Sequence, residues 1–121
     1  MSLNIRFFKL MLQAPEVPIL VAIGMEQINH LDDKLGLDPN LVADFKHGYV
    51  DGCCGLWGGY IYLCLPEEYN PIVVAHECIH AANRSWMMAG ANLLPDNDEV
   101  ITYTHDAIHK MIKELYDVPT K

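Results

Sequence analysis

Hydrophobic and polar positions recur along this chain with changing period, and each change predicts a new element. Asn4 to Gln13 is rich in apolar and aromatic residues, interrupted by Arg6 and Lys9, and reads as a first strand. From Pro18 the pattern shifts. Leu20, Ile23, Gly24, Gln27, Ile28, Leu31 and Leu35 recur at helical spacing and Gly36 is a stop, so a first helix is expected, despite Gly24 inside it. Asp38-Pro39 either caps a second short helix through Phe45 or opens an irregular connection. Tyr49 to Leu65 carries the clearest β pattern. Gly58-Gly59 falls between Cys53–Trp57 and Tyr60–Leu65, as a tight hairpin turn needing positive φ requires. In the second arm Tyr60, Tyr62 and Cys64 share one face, and Ile61, Leu63 and Leu65 the other.

Two helices follow. Asn70 is a good N-cap, and Pro71 suits the first helical position because it has no N–H to leave unpaired. An apolar run then extends to Met88, and Gly90 is a natural stop. After a loop with Pro95, residues from about Asn97 to Tyr116 present Val100, Tyr103, Ala107, Ile108, Met111, Ile112 and Leu115 as a broad apolar stripe. Lys110 and Lys113 complement the dipole near its end. The succession predicts one α+β domain over residues 1–121, with a small antiparallel or mixed sheet whose hairpin packs on a helix.

Composition changes this picture little. The chain is 51% apolar and 20% charged, which is globular rather than disordered. Its net charge is −8 with no basic cluster to offset it, which argues against binding a nucleic-acid backbone. The longest uncharged apolar run, Pro18 to Met25, is far too short to span a bilayer, so no membrane association is expected. Gln13, Glu16 and two prolines interrupt what would have to be a signal sequence, and a cytoplasmic location is expected. Cys53, Cys54, Cys64 and Cys78 read as buried, reduced thiols. A thiol role for Cys53-Cys54 needs an exposed, low-pKa thiolate that nothing in the sequence supplies.

The candidate chemistry lies on the helix that Asn70 opens. It contains His76-Glu77-Cys78-Ile79-His80, and residues four apart share a helix face. His76 and His80 can therefore present imidazole nitrogens to a single Zn²⁺. Glu77 is rotated off that pair by one residue, where it can serve a water without being a ligand. Cys78 lies two residues from each histidine and points away from them, as a small hydrophobe would. Catalytic zinc takes three protein ligands, so a third is needed.

Eighteen residues separate His80 from Glu99. With that spacing the chain resembles the gluzincin metallopeptidases, whose pattern is His-Glu-x-x-His, some eighteen or nineteen residues, then Glu on a following helix. It is also similar to a group of small phage- and prophage-encoded proteins, through Val74-Ala75-His76-Glu77-Cys78-Ile79-His80-Ala81-Ala82 and Asp96-Asn97-Asp98-Glu99-Val100-Ile101-Thr102-Tyr103. The likeness covers roughly the last seventy residues well and the first fifty in outline. It implies a minimal zincin-like fold, with His76, His80 and Glu99 as metal ligands and Glu77 as general base. It also implies a substrate-binding edge strand just before the metal helix, here Tyr60 to Leu65, to which a peptide could add by main-chain hydrogen bonds. Glu99 has a rival role, because Asp96-Asn97-Asp98-Glu99 is also a capping box, and Asp98 is an alternative ligand.

Tyr103 and Asp106 share a helix face with Glu99, and either could orient a ligand histidine; Tyr103 equally belongs to the apolar stripe. His105 and His109 form a second pair rotated away from that face, expected at the surface, with His109 a weak candidate for stabilising an oxyanion. The expected function is zinc-dependent hydrolysis of a peptide or protein substrate. The alternative is a phage-related accessory or assembly protein, with a structural or vestigial metal site and a phage protein as partner. The sequence leaves the oligomeric state open.

Overall fold

The computed structural model describes residues 8–13, 16–37, 39–48, 51–90 and 98–117. Among them the chain runs β1 (Phe8–Gln13), β2 (Glu16–Ile23), α1 (Gly24–Leu35), α2 (Pro39–Lys46), β3 (Cys53–Trp57), β4 (Tyr60–Leu65), α3 (Pro71–Met88) and α4 (Asp98–Tyr116). The strands form one mixed sheet in the order β1-β2-β4-β3. β1 pairs antiparallel with β2, β2 parallel with β4, and β4 antiparallel with β3.

The sheet is covered on both faces. Val17, Ile19 and Val21 of β2 and Ile61, Leu63 and Leu65 of β4 pack against Val74, Cys78, Ala81 and Ala82 of α3 and Ile108 and Ile112 of α4. The alternate residues Leu20, Ala22, Tyr62 and Cys64 pack against Ile28 and Leu31 of α1 and Val42 of α2. The two faces of β4 are therefore divided as its alternation predicts. The α+β class holds, and the sheet is mixed.

Two expectations are corrected here. Residues from Pro18 to Ile23 were expected to open a helix, yet they lie in β2. A central strand buried on both faces is a near-continuous apolar run, and its period of two is erased. Gly24, at φ 85°, makes the break that separates this strand from α1. The second correction concerns Tyr60 to Leu65, expected as an edge strand. β4 lies between β2 and β3, with both of its edges paired. The free edge beside α3 belongs to β3.

Asp38-Pro39 does lead into a helix, α2. α3 begins and ends where its caps dictate. Asn70 Oδ1 accepts from the N–H groups of Ile72 at 3.0 Å and Val73 at 3.3 Å. At the other end Gly90 takes φ 84°. α4 returns alongside α3: Trp86 Nε1 donates to Thr104 Oγ1 at 2.8 Å, and the Tyr116 hydroxyl donates to the Pro66 carbonyl. No helix among the described residues is long and apolar enough to cross a membrane.

Candidate functional site

Three sides of α3 meet the rest of the chain. Val74, Cys78, Ala81 and Ser85 face the core. Ala75 and Trp86 face α4, since the Ala75 carbonyl meets His105 Nε2 and Trp86 bonds Thr104. The remaining flank carries His76, Glu77, His80 and Arg84, and it faces the free end of the sheet at β3. There a cavity of about 490 Å³ opens, lined also by Asp44, Asp51, Gly52, Cys53, Cys54, Ile72 and Val73.

The two histidines converge. His76 Nε2 and His80 Nε2 lie 3.3 Å apart, with the rings edge to face at 78°. Two nitrogens at about 2.0–2.1 Å from one tetrahedral zinc stand about 3.3–3.4 Å from each other. The pair thus presents two donors at a spacing that fits the ion. Burial, then the neighbouring His76 and Arg84, lowers the His80 pKa, which favours the neutral ring a metal needs.

Glu77 is 6% exposed, the most unusual placement on α3. Burial pushes its carboxyl above the usual carboxylate range, against the pull of His76 and Arg84. Room for it is made by Gly52, where a Cβ would stand 3.1 Å from Glu77 Cγ, 3.1 Å from the Cys64 carbonyl oxygen and 3.2 Å from Val73 Cγ1.

The other expected site residues are spread differently. Glu99 is exposed on the outer face of α4, is not among the residues lining the cavity, and accepts the Tyr103 hydroxyl at 3.2 Å on Oε1. Tyr103 is 66% exposed and lies outside the buried stripe, which Ile101, Thr104, Ile108 and Ile112 carry instead. It therefore orients Glu99 and not a histidine, and Asp106 bonds His105 at 3.0 Å. Among the described residues, no three histidine, cysteine, aspartate or glutamate side chains stand together as a metal-holding group. The capping-box residue Asp96 and the side chain of Asp98 lie outside the described residues.

His105 and His109 are not simply surface groups. His105 is wedged against the Ala75 carbonyl at 3.2 Å, and His109 Nε2 meets the Tyr69 hydroxyl at 2.7 Å. Burial, then the neighbouring His105, lowers the His109 pKa. Both belong to the α3–α4 seam, and neither lines the cavity.

All four cysteines are buried and unpaired. Burial drives Cys54 and Cys78 to about 12, which leaves them inert thiols. Cys53 is lowered by a hydrogen bond with Cys64, its direct cross-strand neighbour.

Sequence reasoning missed Arg84, Asp44, Asp51 and Gly52. Arg84 had a signal: it continues the row His76, His80, Arg84 at intervals of four. The aspartates reach the cavity from α2 (Asp44) and from the segment before β3 (Asp51), a tertiary placement that no local pattern encodes. Comparisons of the chain with protein-family models, curated proteins and solved structures find no match in any of the three.

Proposed function

We propose that the protein is a zinc-dependent hydrolase of peptide bonds, with His76 and His80 holding the metal and Glu77 as general base. One observation carries this reading. Two imidazole Nε2 atoms meet at 3.3 Å beside a buried carboxylate on the wall of an open cavity. When bound there, zinc would polarise a substrate carbonyl and make a water acidic enough to lose a proton near neutral pH. Glu77 takes that proton on a carboxylate oxygen and later gives it to the leaving amine. Its raised pKa suits both halves of the exchange. Gly52 leaves this space to Glu77, because a side chain there would start 3.1 Å from Glu77 Cγ.

Glu99 enters as the third ligand on its spacing and on the gluzincin resemblance alone. Its partner Tyr103 would then steady a ligand carboxylate. On this assignment Glu99→Ala drops the zinc content well below one per chain. Zinc retained at one per chain would instead point to Asp98, with Glu99 as a helix cap, or to Asp44 or Asp51, which line the cavity beside Glu77.

The mechanism is tested by Glu77→Gln. Zinc content should be unchanged while peptide hydrolysis falls by about 10²–10⁴-fold. Cleavage at the wild-type rate would rule out Glu77 as the base.

The exposed side chains of Met87 on α3 and Tyr103 on α4 favour a second reading. In it the protein is a phage-related accessory or assembly factor whose metal site is structural or vestigial, and its outer helical face binds a protein partner. Retention of fold and partner binding in His76→Ala supports that reading over hydrolysis.

A further inference from the structure

Charge is distributed unevenly along the cavity. Asp51 lines both the cavity and a neighbouring recess with Asn70, Pro71 and Val73, which places it at the N-terminal end of α3. Arg84 lines the cavity from the other end of the same helix. Val73 and Arg84 are eleven residues apart, a rise of roughly 16 Å at 1.5 Å per residue. His76, Glu77 and His80 lie between the two ends.

Arg84 is half-buried, and among the described residues it has neither an ion pair nor a hydrogen bond. It is near enough for its charge to act on Cys54, Glu77 and His80. A guanidinium presents a planar fork of donors that matches a carboxylate in two parallel hydrogen bonds. One without such a partner among the described residues, on the wall of a cavity that holds a general base, is available to a ligand.

We propose that Arg84 anchors a carboxylate of the substrate and so sets which peptides the site accepts. The inference takes its chemistry from the hydrolase reading above. Glu77 and Arg84 are seven residues apart, roughly 10 Å along the helix. An extended peptide covers at most about 3.3–3.6 Å per residue, so the anchored carboxylate lies about three residues from the bond that Glu77 serves. Asp51 repels the same group at the opposite end of the cavity, which favours seating the carboxylate at Arg84. The substrates are peptides with an acidic group about three residues from the scissile bond, supplied by a free C-terminus or by an aspartate or glutamate side chain.

The test is a binding titration on the Glu77→Gln protein, in which turnover is suppressed, with and without Arg84→Gln. The probes are acetyl-hexaalanine with a free carboxylate, the same peptide as its amide, and an amide ending in aspartate. The free acid should bind about tenfold more tightly than the plain amide, and Arg84→Gln should erase the difference. Tight binding of the aspartate amide makes the side chain a sufficient source; its failure, with the acid still bound, restricts the site to C-termini. A second measurement needs no substitution at Arg84. Phenylglyoxal labels arginine, the chain has only Arg6 and Arg84, and the acid peptide should protect Arg84 while the amide does not. Equal binding of acid and amide, a preference that survives Arg84→Gln, or no selective protection of Arg84 overturns the proposal. Failure of the hydrolase reading is seen separately, as wild-type protein that takes up no zinc and cleaves nothing.

Discussion

Glu77 is a carboxylate held where ionisation is resisted, and its protonation is tied to stability. Its pKa in the folded chain is raised, so the folded state holds a proton that the unfolded state releases at lower pH. With respect to this group, stability is fully present below the unfolded pKa and is lost as pH rises through the folded one. Metal-free Glu77→Gln should therefore be more stable than wild type at pH 7 by about 1 kcal/mol, roughly 4 °C in Tm, with the gap closing as pH falls below the raised pKa. Thermal melts of both proteins across pH check it. A second prediction at this scale concerns Gly55, where an added Cβ would overlap the Tyr62 ring. Tyr62 is fully buried between strands and helices and has nowhere to turn. Gly55→Ala should cost about 1–3 kcal/mol, read as a lowered Tm without a change in fold. The sequence made His76, Glu77 and His80 legible because their spacing on one helix turn is itself the signal. What Gly52 and Arg84 do depends on the element opposite each, which their local sequence does not carry.

At the scale of elements, the features that were legible are the local ones. Asn70, Pro71 and Gly90 fix the ends of α3 through bonds to neighbours within a few residues, and Gly58-Gly59 fixes the hairpin. Asn70 alone satisfies two N–H groups at the start of the helix that bears the site. Asn70→Ala should cost about 1 kcal/mol and fray the first turn, without touching the histidines six and ten residues on. Hydrogen exchange at Ile72 and Val73, faster in the variant and unchanged past His80, measures this. The failures are failures of non-local information. Pro18 to Ile23 is apolar throughout because β2 is covered by α3 and α4 on one face and by α1 and α2 on the other, and that burial hides the strand period. Strand order is likewise absent from the pattern, which cannot show that β3, and not β4, is the edge. His105 and His109 were read as surface groups because a sequence does not say that the Ala75 carbonyl and Tyr69 wait beside them.

For the molecule as a whole, the two helical layers divide the labour. α1 and α2 seal one face of the sheet; α3 lies on the other, held by α4 along one flank, with its opposite flank open at the β3 edge. The cavity is thus a product of topology, and the chemistry in it is a product of one helix. A ligand that binds only the folded chain adds to its stability by mass action, and at a thousand times its dissociation constant zinc would contribute about 4 kcal/mol. The central claim is that the convergent imidazoles of α3 hold that zinc. The most direct measurement is the zinc content per chain of metal-replete wild type, His76→Ala and His80→Ala, with circular dichroism to show that all are folded. The account predicts one zinc per wild-type chain and its loss in each variant. Folded wild type without zinc, or zinc retained in either variant, would contradict it.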